Sequence, residues 1–318
     1  MMPLAAEVQH FAGPPHWTWY ILFYFFLAGL SGGSYVIATL LRLGGERSDE
    51  AAARLGYYIA FAALLPCPVL LILDLGTPLR FWHMMWNTTP GAAGLNFKYW
   101  SPMSVGVWAL AVFGAFATVS FVQALVHDQR IRWSLAQRAV RLLDGILGKV
   151  VVVAGGIAGL FIAGYTGVLL SVSNRPVWSD TWALGGLFLA SGLSGSAALL
   201  LYLLRHRPAA QTSAGPLTVS ERLYAVLELA LIVIFAGTLV PAGTWDITFG
   251  FPWALLWLVA LAGLVPGIGG LLSDRLAVTP EGVTVTVGTA SAARSVAITG
   301  LVLLGVLALR AAVIFSIQ

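Results

Sequence analysis

Eight stretches of this 318-residue chain are long and apolar enough to cross a bilayer, at approximately 17–41, 56–75, 102–126, 145–171, 182–204, 220–240, 248–272 and 294–316. A spanning helix needs about 20 mainly apolar residues, and the hydrocarbon core has no water to satisfy exposed backbone. The pattern therefore predicts an all-α integral membrane protein. Composition agrees, since 9% of residues are charged where a soluble domain has about one quarter. The start, "MMPLAAEVQHFAGPPHW", lacks a basic n-region and a cleavage site, which predicts that the first apolar helix serves as its own insertion signal.

Eight spans place both termini on one side, and the basic residues say which. Loops 42–55, 127–144, 205–219 with its flank, and 273–294 hold Arg42, Arg47, Arg54, Arg130, Arg132, Arg138, Arg141, Arg205, Arg207, Arg222, Arg275 and Arg294. The other side holds Arg80, Lys98 and Arg175. By the positive-inside rule both termini are expected to be periplasmic. Residues 29–42, "GLSGGSYVIATLLR", match 192–205, "GLSGSAALLLYLLR", at seven of fourteen positions without gaps. The two segments fall in spans one and five, which run the same way. That predicts two four-helix bundles related by a parallel repeat, residues 1–181 and 182–318. Ser101 before Pro102 reads as a helix start, and 277–287 as a short hairpin.

The polar groups near the membrane are few, and their placement directs the functional reading. Asp74 ends span two, and Arg80 and His83 follow in the same loop, "LDLGTPLRFWHMMWN". His16 opens span one on that face, and Lys98 closes the loop before span three. An acid, a base and cations gathered at one surface suit proton exchange with a lipid-soluble substrate, whereas Asp74 alone would suit a turn cap. Trp17, Trp19, Trp82, Trp86 and Trp100 lie at the same level, as an interfacial aromatic belt does. Tyr165, in "GYTGVLLSVSNRP", stands about two turns from the same end of span four and has the chemistry to donate a hydrogen bond to a carbonyl. Glu228 lies within span six, with Glu221 seven residues earlier on nearly the same face. These two are either structural partners or stations of a proton path, and Asp144 near the start of span four either belongs to the same route or is a solvated end charge.

The sequence also argues against resident redox centres. Cys67 is the one cysteine, which excludes a cysteine-ligated zinc or iron–sulfur site held by this chain alone. No histidine lies mid-span, so paired histidines for haem are not available, and no metal or nucleotide-binding motif is present. Electrons would have to enter or leave through a substrate and a separate partner.

Several motifs together resemble the NrfD/polysulfide-reductase membrane-subunit family. They are "YFFLAGLSGGSY" in span one, "LDLGTPLRFWHMM" after span two, "SPMSVGVW" opening span three, "GYTGVLLSVSNRPVW" ending span four and "FLASGLSGSAAL" in span five. They cover the first two thirds of the sequence. The last three spans match as apolar helices only. The resemblance implies two four-helix bundles without haem or metal, in the bacterial cytoplasmic membrane. It implies a menaquinol or ubiquinol site near the periplasmic surface, beneath a ferredoxin-like subunit that holds [4Fe–4S] clusters. That subunit would pass electrons to a molybdopterin subunit or a multihaem cytochrome; lipid is the other partner, and nucleic acid is not one. On this reading His16, Tyr20, Asp74, Arg80 and Tyr165 bind quinone. Asp74, with His83, takes protons while Tyr165 meets a quinone oxygen. Arg80, Lys98 and Arg175 dock the partner, and Glu228, Glu221 and Asp144 offer a proton path. Two other readings stay open: an eight-span transporter, with Pro66 and Pro68 breaking span two, and a passive anchor for a periplasmic redox enzyme.

Overall fold

Helices that are apolar all round must be buried in protein or face lipid. The computed structural model describes residues 17–143, 145–273, 276–279, 282–285 and 292–318. Its main elements are α1 (Trp19–Gly44), α2 (Glu50–Leu64), α3 (Pro66–Leu73), α4 (Pro102–His127), α5 (Ser134–Leu142), α6 (Ile146–Ser171), α7 (Leu184–Leu204), α8 (Ala214–Ala242), α9 (Trp245–Phe249), α10 (Trp253–Ser273) and α11 (Ala292–Phe315). Among the described residues eight segments qualify as membrane spans, with α2 and α3 together falling in the second. Span six begins earlier than the sequence suggests, since a 3₁₀ turn at Pro208–Ser213 runs straight into α8. Glu228 is therefore the midpoint of α8, with fourteen residues on either side.

α1 lies at the centre, packed against α2, α6, α7 and the last helix, α11. The two repeat segments meet back to back at the crossing of α1 and α7. A Cβ on Gly192 would lie 2.9 Å from the Gly29 carbonyl oxygen, so only glycine lets the backbones approach this closely. The Ser196 hydroxyl donates to the Leu30 carbonyl at 3.0 Å across the same contact. The repeat also extends to partners. Ser31 donates to the Ala60 carbonyl in span two at 2.6 Å, and its counterpart Ser194 faces Glu228 in span six.

The ends of the spans separate into two levels. At the basic level Asp128, just past α4, accepts from Arg54 Nε at 2.7 Å, from the Tyr58 hydroxyl at 2.7 Å and from Arg207 at 3.1 Å. It joins the starts and ends of spans two, three and five. Burial alone would raise the Asp128 carboxyl, but these donors outweigh it and hold it below the usual carboxylate range. At the opposite level Trp17 stacks on the buried Trp178 with centroids 5.1 Å apart, and the Trp178 indole donates to the Val313 carbonyl at 2.7 Å. Trp17 is thus a packing residue, while Trp19, Trp82, Trp86 and Trp100 are exposed as a belt requires. The two hairpins are β1–β2 (Trp86–Asn87, Gly94–Leu95) and β3–β4 (Leu276–Thr279, Gly282–Val285). The second overlaps the 277–287 hairpin read from sequence, while residues 280 and 281 between its strands lie outside the described residues.

Candidate functional site

Span two is one apolar run but two helices, because Pro66 and Pro68 each lack a backbone donor and interrupt the ladder. α2 packs against both α1 and α4, whereas α3 packs against α1 and the 3₁₀ turn Pro78–Met84 that follows it. The space left between α3 and α4 is a cavity of about 470 Å³. Leu71, Ile72 and Leu75 form one wall, Val107, Leu110 and Ala111 another, and Met84 and Met85 the roof. Its apolar lining is broken by Tyr24, Tyr165 and Thr118. Leu65, Phe81 and Met103 line it and are also exposed, so the mouth opens sideways through the helices. That is the access an apolar ligand dissolved in a membrane would need.

Tyr165 is held firmly at this cavity. Its hydroxyl donates to the Pro102 carbonyl at 2.5 Å, its ring stacks on Phe161 at 5.4 Å, and a Cβ on Gly106 would run into its phenol. The phenol proton is therefore engaged, and the oxygen's remaining capacity is as an acceptor. The donor role expected from sequence is taken up by the backbone of α4, through the Pro102 carbonyl in its first turn. Ser101 caps that helix as expected, accepting from the Ser104 amide at 3.4 Å.

Asp74 caps the end of α3 and is bound by the hydroxyl of Thr18, the N-cap of α1. This places it at the same level as Tyr165, one residue from the cavity wall at Leu75. Burial raises its pKa above the ordinary carboxylate value, with the Thr18 hydrogen bond pulling the other way. It is a half-buried acid with the properties of a proton acceptor. His83 is half-buried with its ring against Trp82, centroids 3.9 Å apart, and its carbonyl accepts from Asn96 at 2.9 Å. Tyr20 is half-buried against Trp19. Arg80 and Lys98 are exposed on the loop surface, and Arg175 is half-buried. None of Asp74, Arg80, His83 and Tyr20 lines the cavity itself. His16 and Asp144 lie outside the described residues.

A second polar cluster sits among the spans. Glu228 is 2% exposed, and its Oε2 has no hydrogen-bond partner among the described residues. Facing it are Ser194 on α7 and Arg310 on α11. Arg310 is fully buried and donates to the Phe25 carbonyl at 3.3 Å, the Phe188 carbonyl at 3.0 Å, the Ser191 hydroxyl at 2.7 Å and the Val306 carbonyl at 3.1 Å. Its guanidinium also lies 5.0 Å above the Phe188 ring. Sequence reasoning passed over Arg310, although an arginine inside an apolar run of this length is a signal in its own right. It likewise passed over Tyr24, which reads in sequence as one aromatic among many. Glu221 is buried two turns closer to the basic level, as the seven-residue spacing implies.

An eight-span helical membrane protein with a lipid-accessible apolar cavity at one surface, and a buried acid–guanidinium cluster deeper in, defines the class. The family described as "Polysulphide reductase, NrfD" matches residues 7–316. The chain belongs to that family. It is 27% identical over 207 residues to Protein NrfD of Escherichia coli strain K12, covering 60% of each protein. To a polysulfide reductase chain of Wolinella succinogenes it is 30% identical over 196 residues, covering 59% of this protein and 58% of the relative. A shorter match, 32% over 76 residues, covers 24% of this protein and 18% of a selenate reductase subunit of Mesobacillus selenatarsenatis. The match thus spans about 60% of the length of the two longer-matching relatives.

Proposed function

We propose that this chain is the quinone-reactive membrane subunit of a multi-subunit oxidoreductase in a bacterial cytoplasmic membrane, with the basic level cytoplasmic and both termini periplasmic. The single observation that carries the reading is the lipid-accessible cavity of about 470 Å³ that ends at Tyr24 and Tyr165 beneath the Asp74 loop. Its volume suits a quinone ring with the first part of an isoprenoid tail. Relatives named as reductase subunits support a partner-dependent redox role.

The ring of a menaquinol or ubiquinol enters between α3 and α4. Tyr165, its own proton engaged, accepts a hydrogen bond from one quinol hydroxyl and so favours the reduced carrier. Oxidation releases two electrons and two protons. The electrons pass one at a time to a [4Fe–4S] cluster of a ferredoxin-like subunit docked over Arg80, Lys98 and Arg175. That subunit serves a molybdopterin or multihaem catalytic subunit. Asp74, with His83 further along the same loop and His16 at the start of span one, passes the protons to the periplasm. With a suitable partner the same groups run in reverse. The spans divide at 181/182 into a quinone-site bundle and a second bundle, in which Glu228 and Glu221 mark a route for coupled protons, with Asp144 at the basic end of the first.

Quinol oxidation by the assembled complex in native membranes tests this. Tyr165→Phe removes the hydrogen bond to the quinol, along with the one to the Pro102 carbonyl, and is expected to lower turnover about fivefold. Asp74→Asn removes the proton acceptor and is expected to lower it about 100-fold. Unchanged turnover in both variants rejects the site, and quinol-insensitive assembly identifies a passive anchor.

A further inference from the structure

The connection between α4 and α6 has a composition and a geometry that quinone chemistry does not use. Gln129, at φ 57°, turns the chain after α4, and the nine-residue helix α5 follows. One face of α5 presents Leu135, Ala139 and Leu142, at positions i, i+4 and i+7, while Val140, on the far side of the helix, is buried against the protein. Leu135 and Leu142 are 56% and 71% exposed, and Trp133 before the helix and Ile146, Leu147 and Val150 after it are exposed too. In water this would be a large uncovered apolar patch. Arg138 and Arg141 flank that face, with Arg130 and Arg132 before the helix and Lys149 after it, all five exposed. None of them is paired with a carboxylate among the described residues. Residues 129–143 contain no acid at all. Asp128 is occupied by Arg54, Tyr58 and Arg207, and Asp144 lies outside the described residues.

An apolar face bounded by arginines, at the level where the apolar surface of the spans ends, has the form of a helix lying in the plane of a lipid interface. We propose that α5 and its flanking arginines form a binding site for anionic phospholipid. Leu135, Leu142 and Trp133 enter the acyl region, and Arg138 and Arg141 grip the headgroup phosphate as planar forks. The occupant is a phospholipid with net negative charge, because five exposed cations with no carboxylate paired to them among the described residues favour it over a zwitterion. A soluble protein is the poorer fit, since exposed apolar residues resume at Ile146, Leu147 and Val150, at the start of the membrane-spanning α6. This site stands independently of the quinone cavity, which lies at the other level.

Trp133 provides the readout. The intact protein is placed in phosphatidylcholine nanodiscs containing a small fraction of phosphatidylglycerol with brominated acyl chains, and Trp133 quenching is taken as the difference between native protein and Trp133→Phe. Quenching should exceed that from brominated phosphatidylcholine at the same fraction. Arg138→Gln with Arg141→Gln should lower the apparent affinity for phosphatidylglycerol about tenfold, while quinol oxidation by the complex is retained. Lipid co-purifying with the native and double-variant proteins, measured by mass spectrometry, should change in the same direction. Equal quenching by the two lipids, no loss in the double variant, shielding of Trp133 from both, or displacement by inorganic phosphate alone would each overturn the site.

Discussion

Asp74 combines two properties through which its proposed role as proton acceptor can be told from a structural one. Its hydrogen bond to Thr18 closes the gap between spans one and two, and its burial lifts its pKa above the ordinary carboxylate value. The sign of that shift makes a distinction. A carboxylate raised in the folded protein contributes stability below its unfolded pKa of about 3.9, and that contribution is lost as pH rises through the folded value. At neutral pH, then, ionised Asp74 favours unfolding, and Asp74→Asn, which still accepts from Thr18, should melt no lower than native protein in detergent. Quinol oxidation should behave in the opposite way: in native protein it rises with pH as Asp74 loses its proton, and that limb disappears in the variant. A variant that is both less stable and unchanged in its pH profile would make Asp74 a turn cap. Asp74 was legible because "DLG" followed by Arg80 and His83 is an unusual grouping after an apolar run. Tyr165 was legible as a candidate but not in its role, since nothing in "GYTG" says that a carbonyl 63 residues away takes its proton.

Helices assemble here through two kinds of joint, and one of them was far easier to read than the other. The repeat that carries Gly29 and Gly192 was visible in sequence, and small residues permit close backbone approach, although that the two segments cross each other emerged only with the fold. A methyl at Gly192 would press on backbone atoms of α1, which cannot rotate aside. Gly192→Ala should therefore destabilise the protein by about 2 kcal/mol, seen as a lower melting temperature in detergent. A melting temperature equal to native would place the close approach elsewhere. The Asp128 joint was not legible, because Arg54, Tyr58 and Arg207 come from separate parts of the sequence and meet only through the fold. Asp128→Asn keeps the shape but loses the charge facing two guanidinium groups, with an expected loss of about 2 kcal/mol. For this depressed carboxyl the native stabilisation is present above the unfolded pKa and is lost as pH falls through the folded value. The difference between native and variant should accordingly persist at neutral pH and vanish only in strong acid. The Pro66/Pro68 break shows a third case. Sequence located the interruption, but its consequence, a cavity between α3 and α4, depends on where α4 stands.

At the scale of the whole molecule the question is whether the cavity in the first four spans communicates with the acid in the last four. The physical connection is short. Tyr24 lines the cavity, its neighbour Phe25 gives its carbonyl to Arg310, and Arg310 faces Glu228. Arg310 holds the first and fifth spans together through the Phe25 and Phe188 carbonyls, so movement of α1 on ligand binding would alter what Glu228 meets. The Oε2 of Glu228, without a hydrogen-bond partner among the described residues, is an atom on which a proton could sit, and buried acids left this way in membrane spans mark function more often than support. Glu228→Gln separates the alternatives, since it keeps the shape and removes the titration. In proteoliposomes of the assembled complex, a relay predicts near-native quinol oxidation with the protons moved per quinol reduced by about half or more. A structural pair predicts loss of folded protein in Glu228→Gln and in Arg310→Gln, with recovery in the double variant, because each single change leaves the partner uncompensated. Native stability together with an unchanged proton-to-quinol ratio would leave the acid with neither role, and would confine the proposed chemistry to the cavity between α3 and α4.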